Sequence, residues 1–216
     1  MFAEESLWIR DVLSVSYRVE RGRALDIGSA DREFRERVQP HIAANVHAPL
    51  LARGWRIAHL DLDPGPGVDY AVDLCAGPLT VPPAGETFDL VLCCNILEHV
   101  RAREPFLDNV ARLVRPGGRL LVTVPKRYPR HDDPIDTMYR PGIRRLVADV
   151  ARAGPFEVRE AGVIPILEPG AYARRSGRRL ERFMPWRTYP KWRRWLAPMR
   201  WQVACVLFER RGRDVR

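Results

Sequence analysis

The sequence predicts an α/β fold: a doubly wound, mostly parallel sheet of seven strands, helices on both faces, and a basic insertion before the last strand. Three observations carry this. Short apolar runs alternate with helical stripes between residues 22 and 154, the pattern of βαβ units. Phe88 to Cys94 is apolar almost throughout, as a central strand covered on both faces must be. The charge is uneven: Arg174 to Arg216 holds 14 Lys and Arg against 3 Asp and Glu, a local +11, while the remaining chain stands at −2 and the whole at +9.

The elements follow in order. Trp8, Val12, Val15 and Ile9, Leu13 recur at helical spacing, so residues 4–19 read as an amphipathic helix. Gly22 to Gly28 is a short apolar run ending in glycine, a buried strand and a tight turn. Asp31 caps a helix that Pro40 stops or kinks, and a second helical stretch fills 41–53 up to Gly54. Arg56 to Asp61 is the second strand, closed by the turn Asp63-Pro64-Gly65-Pro66-Gly67, and Tyr70 to Asp73 is a short third. After the fourth strand, Phe106, Leu107, Val110, Leu113 and Val114 form a helical stripe that Pro116-Gly117-Gly118 stops. Leu120 to Val124 is the fifth strand. Ile143, Leu146, Val147 and Val150 form another helix, ended by Gly154; Phe156–Ile166 and Gln202–Phe208 are the last strands. The expected organisation is a single domain with a helix at 1–20, a sheet core at 22–166 and 202–209, and an insertion at 167–200.

Composition bounds the function. With 216 residues, 46% hydrophobic and 29% charged, the chain has the makeup of a globular domain, not of collagen or low-complexity disorder. No run approaches the ~18 apolar residues of a membrane span. The acids of MFAEESLWIRD stand where a signal peptide needs a basic region, so a cytoplasmic protein is expected. Cys75, Cys93, Cys94 and Cys205 form no CxxC pair, and the five histidines show no close metal-ligand spacing. Reduced thiols and no metal are the expectation.

The turn Leu25-Asp26-Ile27-Gly28-Ser29-Ala30 lies where an open α/β sheet binds its ligand, at the carboxyl ends of the strands. It could be a plain strand–helix turn. A dinucleotide site needs GxGxxG with an acid ~20 residues on; here Ala30 and Glu33 replace two glycines, and Asp61 is 35 residues beyond Asp26. The third reading rests on five stretches in order: ALDIGSADREF, HLDLDP, AVDLCAGPL, FDLVLCCNILEHV and LVRPGGRLLVTVP. Together they resemble class I S-adenosylmethionine-dependent methyltransferases of the type 11 kind, over about residues 22–165 and the terminal strand. The resemblance implies a Rossmann-like methyltransferase fold and S-adenosyl-L-methionine as cofactor.

It also implies roles. Asp26 would accept from the cofactor's ammonium, Gly28 and Ala30 would let the backbone approach it, and Asn95 would flank it. Asp61 would accept both ribose hydroxyls, since a carboxylate offers two oxygens, with Leu62 against the adenine. Asp73 would accept from the adenine amine, with the Leu74 amide nearby. Ala30 and Arg32 stand where the usual pattern has glycines; alanine adds only a methyl, and Arg32 should point outward.

Methyl transfer needs an aligned nucleophile and, where the acceptor carries a proton, a base. Asn95, Glu98, His99, His131, Asp132 and Asp133 follow the fourth and fifth strands. His131 is the first candidate base, because imidazole titrates near neutrality, and His99 the second. In quinone-type relatives an E-x-x-E-H stretch can bind a divalent metal; Asn95 replaces its first acid here, and Glu98 and His99 otherwise cap and pack the following helix.

The stretch 171–201 interleaves Tyr172, Phe183, Trp186, Tyr189, Trp192, Trp195 and Trp201 with ten basic residues, Arg193 and Arg194 among them. A solvated insertion, a polyanion groove and an interfacial anchor are the readings; the favoured one is a lid over the acceptor that also touches an anionic surface. The leading function is methylation, at oxygen, of a small molecule or glycan. A nucleic-acid methyltransferase and a non-catalytic, cofactor-binding partner subunit are the alternatives. The sequence does not name the acceptor.

Overall fold

The computed structural model describes residues 1–15, 19–80, 83–130, 135–167 and 201–212. One seven-stranded sheet organises them. Its strands are β1 (Arg23–Ile27), β2 (Arg56–Asp61), β3 (Tyr70–Ala71), β4 (Phe88–Cys94), β5 (Val114–Arg127), β6 (Phe156–Ile166) and β7 (Trp201–Arg210), in the order β3-β2-β1-β4-β5-β7-β6. The first five run parallel, and β7 lies antiparallel between β5 and β6. The order reverses between β1 and β4, which places a ligand crevice at their carboxyl ends.

Helices cover both faces. On one, α4 (Arg103–Leu113) and α5 (Ile143–Ala153) set Phe106, Leu107, Val110, Leu113, Leu146 and Val150 against Leu25, Ile27, Val91, Cys93 and Val122. On the other, α1 (Ala3–Val15) sets Ile9, Val12 and Leu13, and a helical run over 34–52 sets Val46 and Leu50, against Ala24, Leu90, Leu92 and Leu121. Alternate residues of β4 thus enter opposite cores, as the strand's period of two requires. The run over 34–52 is broken as Pro40 foretells: π-helical turns at Phe34–Val38 and Ala43–His47 alternate with α2 (Pro40–Ile42) and α3 (Ala48–Ala52).

Three local readings differ from the structure. Val15 is exposed, so the buried stripe of α1 is Glu5, Ile9, Val12 and Leu13. The third strand ends at Ala71, because Asp73 turns back to accept from the Cys75 amide. Pro116-Gly117-Gly118 does not follow the helix as a loop; it lies within β5, opposite a register shift between Phe88 and Leu90. Gly117 has φ +74°, and a Cβ on Gly118 would lie 2.9 Å from the Arg115 carbonyl oxygen, so the irregularity requires these glycines. No helix among the described residues is long and apolar enough to cross a membrane.

Candidate active site

The crevice is built from two halves. In the first, β1 ends and the chain turns through Gly28 (φ +65°) and Ala30 (φ +55°). The Gly28 and Ser29 amides both donate to the Leu60 carbonyl, at 2.8 and 3.2 Å. The Ala30 amide donates to Asp61 Oδ2 at 2.7 Å, and Asp61 Oδ1 accepts from the Leu62 amide at 2.8 Å. The left-handed region costs a non-glycine residue roughly 1–2 kcal/mol. Asp61 holds Ala30 there from one side and Arg35 from the other. The buried Arg35 guanidinium donates to the Ala30 carbonyl, to Ser29 Oγ at 3.2 Å and to the Gly67 carbonyl at 2.8 Å. A side chain thus ties together a turn whose usual glycines are missing, and Arg32 lies exposed as expected.

Beside this turn the other residues expected at the cofactor line up along one edge. Leu62 is 63% exposed, an apolar surface next to an acid. Asp73 is exposed and uses Oδ1 to accept from the Cys75 amide at 2.7 Å. Leu74 buries its side chain, and its carbonyl accepts from Asn109 Nδ2 at 3.0 Å.

Asp26 is placed differently. Its carboxylate is buried beneath the turn, 3.0 Å from His47 Nε2 and 3.6 Å from His59 Nδ1. Burial alone would raise its pKa; the His47 hydrogen bond and the closeness of both imidazoles reverse this and hold Asp26 well below the usual carboxylate range. It sits under the site as an anion and does not line it openly.

The second half follows β4 and β5. Asn95 has φ +54° and turns its side chain to Glu5, whose Oε1 and Oε2 both lie 2.9 Å from Asn95 Nδ2. Glu5 is fully buried and also accepts from Thr123 Oγ1 at 2.5 Å and from the Phe2 amide at 3.0 Å. Asn95 is therefore anchored to α1. Ile96 projects onto the first half: a Cβ on Gly28 would lie 2.0 Å from Ile96 Cδ1. Glu98 is 1% exposed, and its Oε2 finds no hydrogen-bond partner among the described residues. Burial pushes its carboxyl up to about 8, against the pull of its own amide and of Arg140. His99 contacts the Ile135 carbonyl through Nδ1 and lies 3.8 Å from Glu98 Oε1 through Nε2.

His131, Asp132 and Asp133 lie outside the described residues, as does 171–200. Trp201 opens β7 and packs on Tyr128 and Phe2, with ring centroids 4.7 and 6.2 Å away. The structure thus brings Gly28, Ala30, Asp61, Leu62, Asp73 and Leu74 together on one side, with Asn95 and His99 on the other. It adds Glu5, Arg35, His47, His59 and Ile96, for which the sequence offers no local signal: each acts on a residue at least five positions away.

Residues 25–122 match the family model described as "Methyltransferase domain". A ubiquinone biosynthesis O-methyltransferase of Xylella fastidiosa (strain 9a5c) is 32% identical over 120 residues, 54% of this chain and 47% of that protein. The chain spans about half the length of the curated relatives it matches. Among solved structures, 1,6-didemethyltoxoflavin-N1-methyltransferase of Burkholderia thailandensis, with 1,6-didemethyltoxoflavin and S-adenosylhomocysteine bound, has a TM-score of 0.56 at 16% identity, over 97% of this chain and 80% of that one. The [4+2]-cyclase SpnF reaches 0.57 at 16% identity, over 96% of this chain and 81% of that one. The shared fold is that of class I methyltransferases, and it carries more than one chemistry.

Proposed function

We propose that this chain, whose residues 25–122 form a methyltransferase domain of the class I, type 11 kind, transfers a methyl group from S-adenosyl-L-methionine to an oxygen of a small-molecule or glycan acceptor. One observation carries the reading: Asp61 and the turn at Gly28–Ala30 are locked together at the carboxyl edge, beside the exposed Leu62. Asp61 Oδ2 accepts one short amide hydrogen bond, and Oδ1 accepts a short one from Leu62 and a long one, 3.4 Å, from Asp63. A carboxylate has about four lone-pair sites, so Oδ2 in particular keeps acceptor capacity for the ribose. Leu62 suits the adenine face, Asp73 retains Oδ2 for the adenine amine beside Leu74, and Gly28 supplies the left-handed backbone of the turn. Asp26 supports the turn's charge from below, and Asn95 sets the loop facing it. The relatives named as O-methyltransferases favour oxygen as the atom methylated.

S-adenosyl-L-methionine supplies an electrophilic methyl group on a sulfonium. The chain's contribution is alignment, which can be worth ~7–11 kcal/mol, and removal of the acceptor's proton. That proton goes to an imidazole, His131 or His99. His131→Ala and His99→Ala separate the two: the base is the one whose loss cuts turnover about a hundredfold or more while S-adenosylhomocysteine affinity holds. The basic-aromatic stretch 171–201 covers the acceptor and touches an anionic surface, at the inner face of the membrane of a cytoplasmic protein. Its arginines support this, since each basic residue near such a surface contributes ~1 kcal/mol. Low-salt binding to phosphatidylglycerol vesicles, lost on changing Arg193 and Arg194 to Ala, tests it.

Calorimetry with S-adenosylhomocysteine tests the cofactor reading. Asp61→Ala should weaken binding by about an order of magnitude, ~1.4 kcal/mol, in a chain that stays folded; an unchanged affinity removes Asp61 from the site. Labelled methyl transfer to a metabolite extract against total RNA tests the acceptor. Transfer to neither, with cofactor bound, favours a non-catalytic subunit.

A further inference from the structure

We propose that Asp26, His47 and His59 form a binding site for a divalent transition metal of the zinc class. The three residues are far apart in sequence and reach one point from three elements: β1, the π-helical turn Ala43–His47 and β2. The register of β1 and β2 pairs Asp26 with His59, so both side chains leave the sheet on the face that the helical run covers, where His47 meets them. One donor atom from each lies within 4.8 Å of those of the other two.

The separations fit a metal better than a hydrogen-bonded triad. At zinc–ligand distances of ~2.0–2.2 Å, tetrahedral geometry sets neighbouring donors about 3.3–3.5 Å apart. Asp26 Oδ2 lies 3.0 Å from His47 Nε2 and 3.6 Å from His59 Nδ1, values on either side of that spacing. Hydrogen bonding accounts for the first contact only, because 3.6 Å is too long. His59 Nδ1 is left buried with no hydrogen-bond partner among the described residues, although its ring lies beside that of His47, centroids 5.2 Å apart. A buried ring nitrogen without a partner, aimed at a carboxylate oxygen that a second imidazole also addresses, has the form of a ligand set. Two nitrogens and one oxygen suit zinc, cobalt or nickel; magnesium and calcium need more oxygens. The side chains are 9%, 9% and 16% exposed for Asp26, His47 and His59, so the site is nearly closed, with its fourth position left to water. Bound there, the ion would pin the end of β1 to β2 and to the helical run, directly beneath the turn at Gly28.

The test uses the full chain without a histidine tag, stripped with EDTA and titrated with cobalt(II) and zinc(II). About one cobalt per chain with the strong visible absorption of four-coordinate cobalt is expected, displaced by zinc, with a raised thermal unfolding midpoint. His47→Gln and His59→Gln keep a hydrogen-bonding group beside Asp26 but remove the ligand. Each should weaken zinc binding at least about tenfold, while His41→Gln should not. Absence of the four-coordinate spectrum in the unmodified chain overturns the site and needs no variant to fold. Equal zinc affinity in the parent and both ligand variants also overturns it, leaving a His–Asp network. S-adenosylhomocysteine binding is read separately: a chain that takes zinc but not this ligand supports the site while removing the methyl-transfer reading.

Discussion

The two halves of the crevice treat their acids in opposite ways. On the side of β1 and β2, carboxylates keep partners: Asp61 the amides of Ala30 and Leu62, Asp26 the imidazole of His47, with that of His59 close by. On the side of β4 and β5, Glu98 is buried with Oε2 lacking a partner among the described residues and rises to about 8, while Glu5 is consumed in fixing α1 to Asn95 and Thr123. Donors keep an acid ionised and rigid; desolvation keeps it protonated. The first half thereby keeps its acids hydrogen-bonded, and the second buries one acid away from water. The difference lies in the surroundings, since residue type alone makes Asp61 and Glu98 equivalent.

The largest effect should come from breaking this contrast at Glu98. The unfolded chain ionises Glu98 near its ordinary 4.5, while the folded chain keeps the proton to about 8. The folded state therefore binds the extra proton between these values. Its contribution is fully present below about 4.5, declines by about 1.4 kcal/mol per pH unit as pH rises, and is flat above about 8. Glu98→Gln stays neutral and removes the slope. At pH 8 the variant should be more stable than the parent, by roughly 4–5 kcal/mol at the upper bound; at pH 4.5 the two should nearly coincide. Urea unfolding at both pH values checks this, and parallel profiles would show that Glu98 titrates as an ordinary exposed acid.

Glu5 is the second test, because it binds an acid of the same half by donors instead of starving it. Glu5→Ala leaves the Phe2 amide, Asn95 Nδ2 and Thr123 Oγ1 without their buried acceptor. The expected loss is about 3 kcal/mol. In the Thr123→Val background the loss should shrink by about 1 kcal/mol, because one stranded donor is gone. Additive losses in urea denaturation would mean that Thr123 is not held by Glu5.

The same contrast explains what the sequence made legible. The strands, the switch between β1 and β4, and the residues from Gly28 to Leu74 follow from local patterns: apolar runs, a glycine turn, acids at strand ends. Asp61 does its work within its own strand end and the adjacent turn, so its neighbourhood in the chain announces it. Glu5 opens a helix and reads as a surface acid of a first turn; only packing α1 across β4 and β5 buries it. Arg35 sits among charges in FRERV and gains meaning only when Gly67 folds back on it. His47 and His59 show no ligand spacing because strand register, not sequence distance, brings them to Asp26. Glu98 was visible as a candidate, but nothing in its sequence neighbourhood reports the loss of solvent that shifts it.

The smallest effect concerns the contact between the turn after β1 and the loop after β4, beyond the strands' own pairing. Gly28 is held at φ +65° with Ile96 Cδ1 where its side chain would begin. Two costs should therefore add in Gly28→Ala: roughly 1 kcal/mol for the left-handed backbone and about as much again for the overlap, which Ile96 relieves in part by changing rotamer. Together they predict a loss of about 2 kcal/mol. Ile96→Ala separates them. Once that side chain is shortened, the overlap disappears and the backbone term remains, so Gly28→Ala in this background should cost only about 1 kcal/mol. Unfolding midpoints of the four proteins in this cycle measure the coupling directly. A cost at Gly28 that is the same in both backgrounds would mean that Ile96 does not press on the turn. The loop after β4 would then be free to move without disturbing the turn at Gly28. A coupling near 1 kcal/mol makes Ile96 the contact through which a ligand seated on Gly28 is felt in the loop that carries Asn95, Glu98 and His99.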